Sequence, residues 1–148
     1  MFLDNCIATA QSDLRLWDSF PEVGDLIEGL FPHVLKYWET LGYTPARIEP
    51  TASWANWHEV GDQTHEHAHC DGTRQTHVAS VYYMEKQEGG DIELINPLDY
   101  LHRFTPLAKD LGDMLMSESI SCVTGDFLLF PGWMRHRTQP ATSNRKAI

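Results

Sequence analysis

Positive charge is scarce in this chain: 11 Lys and Arg stand against 21 Asp and Glu, a formal charge of −10. Such a field repels a phosphate backbone, and no Lys/Arg cluster offsets it locally, so nucleic acid is not an expected partner. Long hydrophobic runs are missing as well. The longest, such as Phe127–Pro131, fall far short of the roughly 20 apolar residues that span a bilayer, and no membrane partner is expected. Cysteine is sparse, and Cys6, Cys70 and Cys122 are odd in number, widely spaced and accompanied by no signal-peptide pattern. That excludes a disulfide framework and suits reduced thiols in a cytoplasmic protein. Internal repeats and low-complexity segments are absent, and nothing in the residues speaks to oligomeric state.

What is present suits one domain of ordinary size over residues 1–148, with 1–45 as helical support and 46–148 as a β core. A helix is expected at 32–41, where Val34, Leu35, Trp38 and Leu41 recur at helical spacing and Gly42 stands just past the end; Pro21, Gly24 and Pro32 punctuate the chain before it. After Pro50, runs rich in Trp, Tyr, Val and Ile alternate with polar residues between Gly, Asp and Pro. These predict short strands at 46–48, 53–59, 65–69, 77–85, 91–95, 120–123, 126–130 and around Thr138. Eight short strands with tight connections at Gly89-Gly90 and Gly125-Asp126 imply a mainly β fold with an N-terminal helix. The architecture expected is a double-stranded β-helix, that is a jelly-roll or cupin-like barrel. Residues 99–119 form one long excursion, a lid over the barrel mouth or a plain surface loop.

The chemistry concentrates in one stretch. His65, His67 and His69 alternate, and Asp71 continues the series. On a strand that spacing puts all four side chains on one face, which then meets either solvent or an ion. His136 follows a strand-like run ending in Pro131-Gly132 and can face this cluster from across a barrel. Two ligands close in sequence plus a remote His is the layout of a facial triad on Fe(II), with three positions left for a chelating 2-oxo acid and O2. A closed tetrahedral zinc site is disfavoured, because Cys70 has no partner thiol in the cluster. Two registers remain open. His69, Asp71 and His136 make a 2-His-1-carboxylate set; His67, His69 and His136 make a set of three neutral imidazoles, with Asp71 orienting a ring. His65 and His77 are read as supporting residues in either case.

These residues resemble the Fe(II)/2-oxoglutarate dioxygenase superfamily, and within it the prolyl-hydroxylase-like and small phage- and bacteria-type oxygenases. The resemblance runs from Ser53 onward. Ser53-Trp54-Ala55-Asn56-Trp57, Gly61 and His67-Ala68-His69 look like the opening strand, glycine and metal-binding strand of that family. Val81-Tyr82-Tyr83-Met84, Gly89-Gly90-Asp91-Ile92-Glu93-Leu94 with Pro97, and Gly125-Asp126-Phe127-Leu128-Leu129-Phe130-Pro131 with His136, Gln139-Pro140 and Arg145 look like the strands that follow. One departure stands out: in this alignment His69 occupies the place where the family has a carboxylate.

The resemblance implies Fe(II) and O2 as cofactors and 2-oxoglutarate as cosubstrate, converted to succinate and CO2 while an unactivated C–H of a small molecule, amino acid or protein side chain is oxidised. It also implies that Arg145 and Tyr83, with Asn56, hold the cosubstrate. The interval from His136 to Arg145 matches the family's spacing for the Arg that clamps the distal carboxylate, a bidentate pairing that Lys makes less specifically. Tyr82, Trp54, Trp57 and Trp133 are read mainly as strand and core residues, with Trp133 able to line the mouth. The rival expectations are a cupin-type metalloprotein that does not use 2-oxoglutarate and a non-catalytic barrel that senses a ligand.

Overall fold

The computed structural model describes residues 6–7, 10–11, 14–44, 47–70, 75–99 and 116–148. Its order is β1 (Cys6–Ile7), β2 (Ala10–Gln11), α1 (Leu16–Ser19), α2 (Pro21–Thr40), β3 (Asn56–His58), β4 (Gln63–Thr64), β5 (Val78–Glu85), β6 (Ile92–Ile95), β7 (Ser117–Ile120), β8 (Phe127–Pro131), β9 (His136–Thr138) and β10 (Arg145–Ala147).

Alternation in β5 organises the molecule. Ala79 and Tyr83 are buried while Ser80 and Met84 are exposed, so one face of the strand is committed to the core. β8 pairs with it, Ala79 opposite Phe130 and Val81 opposite Leu128. β8 itself is apolar throughout because both of its faces are covered. Phe130 packs inward with Ala79 and Ile92, whereas Phe127 and Leu129 line a groove with Leu30 and Tyr37 of α2.

A five-stranded sheet in the order β2-β3-β10-β5-β8 faces a three-stranded sheet in the order β7-β6-β9, and β1 pairs with β4. Every ladder is antiparallel. Ile92, Ile120 and Leu94 from the smaller sheet meet Ala79, Phe130 and Val81 from the larger one. The fold is therefore a mainly β jelly roll with helical support at its N-terminal side; among the described residues the two sheets do not join into a continuous barrel. No described helix is long and apolar enough to cross a membrane.

Four expectations need correction. The helix expected at 32–41 begins at Pro21 and runs through Gly24, Gly29 and Pro32. Pro21 sits where no amide hydrogen is needed. Leu30, His33 and Tyr37 face Phe127 and Leu129 of β8 and Trp38 meets His77, packing that offsets the hydrogen bond lost at Pro32. Gly42, at φ +83°, ends it. The strand expected at 65–69 is reduced to β4 just before it and one isolated bridge, His67 to His136; a continuous ladder would hold alternate side chains parallel, whereas these rings converge on a point. The strand expected at 120–123 lies earlier, at Ser117–Ile120, because the Asp126 carboxylate accepts from the Val123 amide at 2.8 Å and folds residues 123–126 into a turn. Arg47 and Ile48 join no strand, and Ala46 lies outside the described residues. Of the 99–119 excursion, residues 100–115 lie outside the described residues too.

Candidate functional site

Backbone hydrogen bonds bring the histidines together. His67 and His136 exchange amide and carbonyl across their bridge at 3.0 and 2.9 Å, and the His69 amide donates to the Gly132 carbonyl at 2.9 Å. Gly132 is obligatory here: a Cβ would lie 2.0 Å from the Thr76 carbonyl oxygen, so any side chain would force Gly132, whose carbonyl anchors the His69 amide, away from Thr76. The ring centroids of His67, His69 and His136 are 4.2 to 5.2 Å apart, and one ligand nitrogen from each lies within 4.8 Å of the others.

The protonation pattern suits a metal. His67 Nδ1 is 2.8 Å from the His65 carbonyl and His136 Nδ1 is 2.9 Å from the Met134 carbonyl. A carbonyl only accepts, so both Nδ1 atoms carry the hydrogen and both Nε2 atoms keep a lone pair. Burial, with the neighbouring His67 second, lowers His136 to about 3 and His69 to about 4. Both rings are thus neutral at pH 7, as coordination requires. Two ligands on one ion with bonds of about 2.1 Å stand at most about 4.2 Å apart, so small ring rotations accommodate an ion among the three. Among the described residues the donor set is three imidazoles, which fits Fe(II).

An ion-pair clamp lies beside the site. Arg135 donates through Nη1 to Glu66 at 2.7 Å and through Nη2 to the Asp99 carboxylate, which is buried. Its two neighbours in sequence are the partners of the bridge, His136 beside Arg135 and His67 beside Glu66. The pairing therefore fixes the register of the segments that hold the rings.

The residues expected to hold the cosubstrate lie inside the five-stranded sheet. Arg145 is 4% exposed and donates to the Gly90 carbonyl at 2.7 Å and to Thr138 Oγ1 at 3.2 Å. Along β10, Arg145 faces His58 across the ladder, and Ala147 faces Asn56 on one side and Tyr83 on the other. Arg145, Tyr83 and Asn56 thus share one neighbourhood. The Tyr83 hydroxyl is buried and held well above the usual tyrosine range, by burial first and then by the Cys122 thiol to which it is hydrogen-bonded; the Arg145 charge opposes that shift. Lys86, also buried, binds Asp91 at 3.0 Å and the Cys122 carbonyl at 2.7 Å and completes this end of the core.

Of the expected metal ligands, the structure brings His67, His69 and His136 together, and Asp71 lies outside the described residues. His65 supports the His67 ring through its carbonyl, and His77 packs edge-on against Trp38 at 5.6 Å. Trp54 stands 5.6 Å from the His69 ring, Trp57 is partly exposed beneath Lys146, Trp133 is 53% exposed, and Tyr82 is half-buried. Sequence reasoning missed His58, Thr138 and the Glu66–Arg135–Asp99 clamp. The period of two linking Asn56 to His58 was the one available signal for His58; the others depend on strand pairing.

The sequence model of a family of 2OG-Fe(II) oxygenases matches residues 52–148. No curated protein matches. Among solved structures, a Pseudomonas putida prolyl-4-hydroxylase is similar at 16% identity and TM-score 0.52, over 93% of this chain and 64% of that one. A Trichoplax adhaerens prolyl hydroxylase in complex with a hypoxia inducible factor oxygen degradation domain peptide fragment is similar at 17% identity and TM-score 0.48, over 68% of this chain and 42% of that one. The chain thus spans less than two thirds of the length of either.

Proposed function

Because the chain belongs to the 2OG-Fe(II) oxygenase family, with Fe(II), 2-oxoglutarate and O2 as its cofactors, we propose that His67, His69 and His136 hold the iron and that Arg145, Tyr83 and Asn56 hold the cosubstrate. The observation that carries this reading is the convergence of the three imidazoles, two with Nε2 freed by carbonyl-bound Nδ1 atoms. When bound, iron and 2-oxoglutarate supply a two-electron oxidation: one O2 oxygen enters a C–H bond and the other enters succinate, with release of CO2.

The chain supplies position and surroundings. Arg145 offers a planar fork to the distal carboxylate, and its own bonds to Gly90 and Thr138 hold the guanidinium in place. Asn56 borders the same space, and Tyr83 closes it against the core. Phe130 packs 4.7 Å from the His136 ring and keeps water from its inner side. The dianionic cosubstrate would compensate the charge of an ion held by three neutral imidazoles. The substrate is read as a small molecule, an amino acid or a protein side chain that gains a hydroxyl. Residues 1–45 serve as support within a single unit, since α2 lies along β8.

The test is succinate release from 2-oxoglutarate with and without Fe(II), in the wild type and in R145A. Iron-dependent succinate is expected, with KM for 2-oxoglutarate raised by roughly 30-fold or more in R145A, the loss of a charge-assisted pair. Absence of succinate under every condition, including a screen of free amino acids and peptides, refutes the assignment.

A further inference from the structure

Two polar atoms within the five-stranded sheet are buried without a hydrogen-bond partner: His58 Nδ1 and Asn56 Oδ1. Their residues alternate along β3, so both side chains leave the same face of the strand. His58 is 2% exposed and is the direct cross-strand partner of Arg145. A buried ring nitrogen left unsatisfied is costly, and a fold that retains one beside a buried guanidinium has a use for it.

The hydrogen-bond chain engages the other ring nitrogen and leaves Nδ1 to meet a ligand. Arg145 Nη2 and the Thr64 amide both donate to Thr138 Oγ1, at 3.2 and 2.8 Å, and Thr64 Oγ1 in turn lies 3.1 Å from His58 Nε2. A neutral imidazole has one donor and one acceptor. In the tautomer whose Nε2 accepts from the Thr64 hydroxyl, Nδ1 carries the hydrogen and is a donor toward an anion beside Arg145. The ring stays uncharged, lowered to about 4 by burial first and by Arg145 second. Its contribution to an anion is therefore directional, where that of Arg145 is coulombic.

We infer that His58 is a second polar clamp on the cosubstrate, donating Nδ1–H to the same distal carboxylate that Arg145 receives. This rests on the reading that Arg145 binds that carboxylate. A carboxylate presents about four lone-pair sites and a bidentate guanidinium occupies two, so a further donor has a place to act. Thr64 and Thr138 tie the two clamps into one rigid unit that selects for an ionised group at the far end of the ligand.

Two ligands and three variants test it. Mn(II)-loaded protein is titrated calorimetrically with 2-oxoglutarate and with 2-oxopentanoate, which keeps the 2-oxo acid head but ends in a methyl group. In H58F, 2-oxoglutarate affinity is expected to fall about tenfold, with 2-oxopentanoate and Mn(II) affinities unchanged within about twofold. H58N, whose amide N–H can stand at the position of Nδ1, is expected to recover part of the loss. R145M is expected to lose 2-oxoglutarate more severely and with the same selectivity. If R145M is selective and H58F is not, the inference about His58 is overturned and the Arg145 reading stands. If R145M weakens both ligands equally, the Arg145 reading falls, and this inference with it. Should H58F fail to fold, H58Q takes its place, since its amide reaches the position of Nε2 and not that of Nδ1; unchanged 2-oxoglutarate affinity in H58Q overturns the inference.

Discussion

The two ends of the proposed site are built in different ways. At the metal end, two of three side chains come from neighbours in sequence, and the rings are oriented by main-chain carbonyls of His65 and Met134. At the proposed anion end, His58, Thr138 and Arg145 come from β3, β9 and β10 and are linked through Thr64, with Arg145 also donating to the Gly90 carbonyl. A site held by backbone tolerates changes in surrounding side chains. A site held by a side-chain network transmits each loss to its neighbours.

The largest expected effect is at the metal end. H136A should weaken Fe(II) or Mn(II) binding by about 100-fold or more, read by titration with a metal indicator, while 2-oxopentanoate binding, which depends on the ion, disappears with it. Retained metal affinity would break the contrast, since the remote His would then be dispensable.

Next comes acid stability at the anion end. His58 titrates at about 4 in the folded protein and near 6.5 when unfolded, so on acidification the unfolded chain takes up the proton first. The stabilisation is complete above pH 6.5, declines as pH falls toward 4 and declines no further below that. Arg145 and Asp62 act on the ring with opposite signs, Arg145 the stronger. Urea unfolding of metal-free protein between pH 4 and 7 should show a loss of about 3 kcal/mol attributable to this group, and H58Q should flatten the profile by that amount. Parallel profiles for the two proteins would show that the ring is not held neutral by its surroundings.

A smaller change is expected from T138V, which removes the acceptor shared by Arg145 and the Thr64 amide. Affinity for 2-oxoglutarate should fall about tenfold with metal affinity untouched; an unaffected cosubstrate would mean that the guanidinium needs no support from β9. The smallest effect sharpens the metal end itself. D71N should change metal affinity by less than about tenfold, whereas H67A should cost about 100-fold or more. The reverse result would replace the three-imidazole set with one containing a carboxylate.

The same contrast explains what was legible in advance. His67 and His69 could be read because a period of two is written in adjacent residues, and Arg145 could be placed because family spacing carries it. β5, β6 and β8 were legible within a residue or two, since their apolar alternation is strong. The start of α2 was not: Pro21, Gly24 and Pro32 argue locally against a helix, and packing against Phe127 and Leu129 overrides them. His58 was hidden because a lone His on a strand has no local signature, and the Arg135 clamp because Glu66 and Asp99 meet it only after folding.

By itself the amino-acid order determined a mainly β chain and a cluster of imidazoles near residue 67 with a distant one to join it, and the family resemblance proposed Arg145 as the cation for a carboxylate. Which imidazoles meet, which tautomer each adopts and what surrounds the guanidinium were decided by tertiary structure alone. The physical reason is range. Alternation and turn chemistry act between near neighbours, whereas ring orientation and buried hydrogen-bond chains depend on strands that the ladder brings together from opposite ends of the sequence.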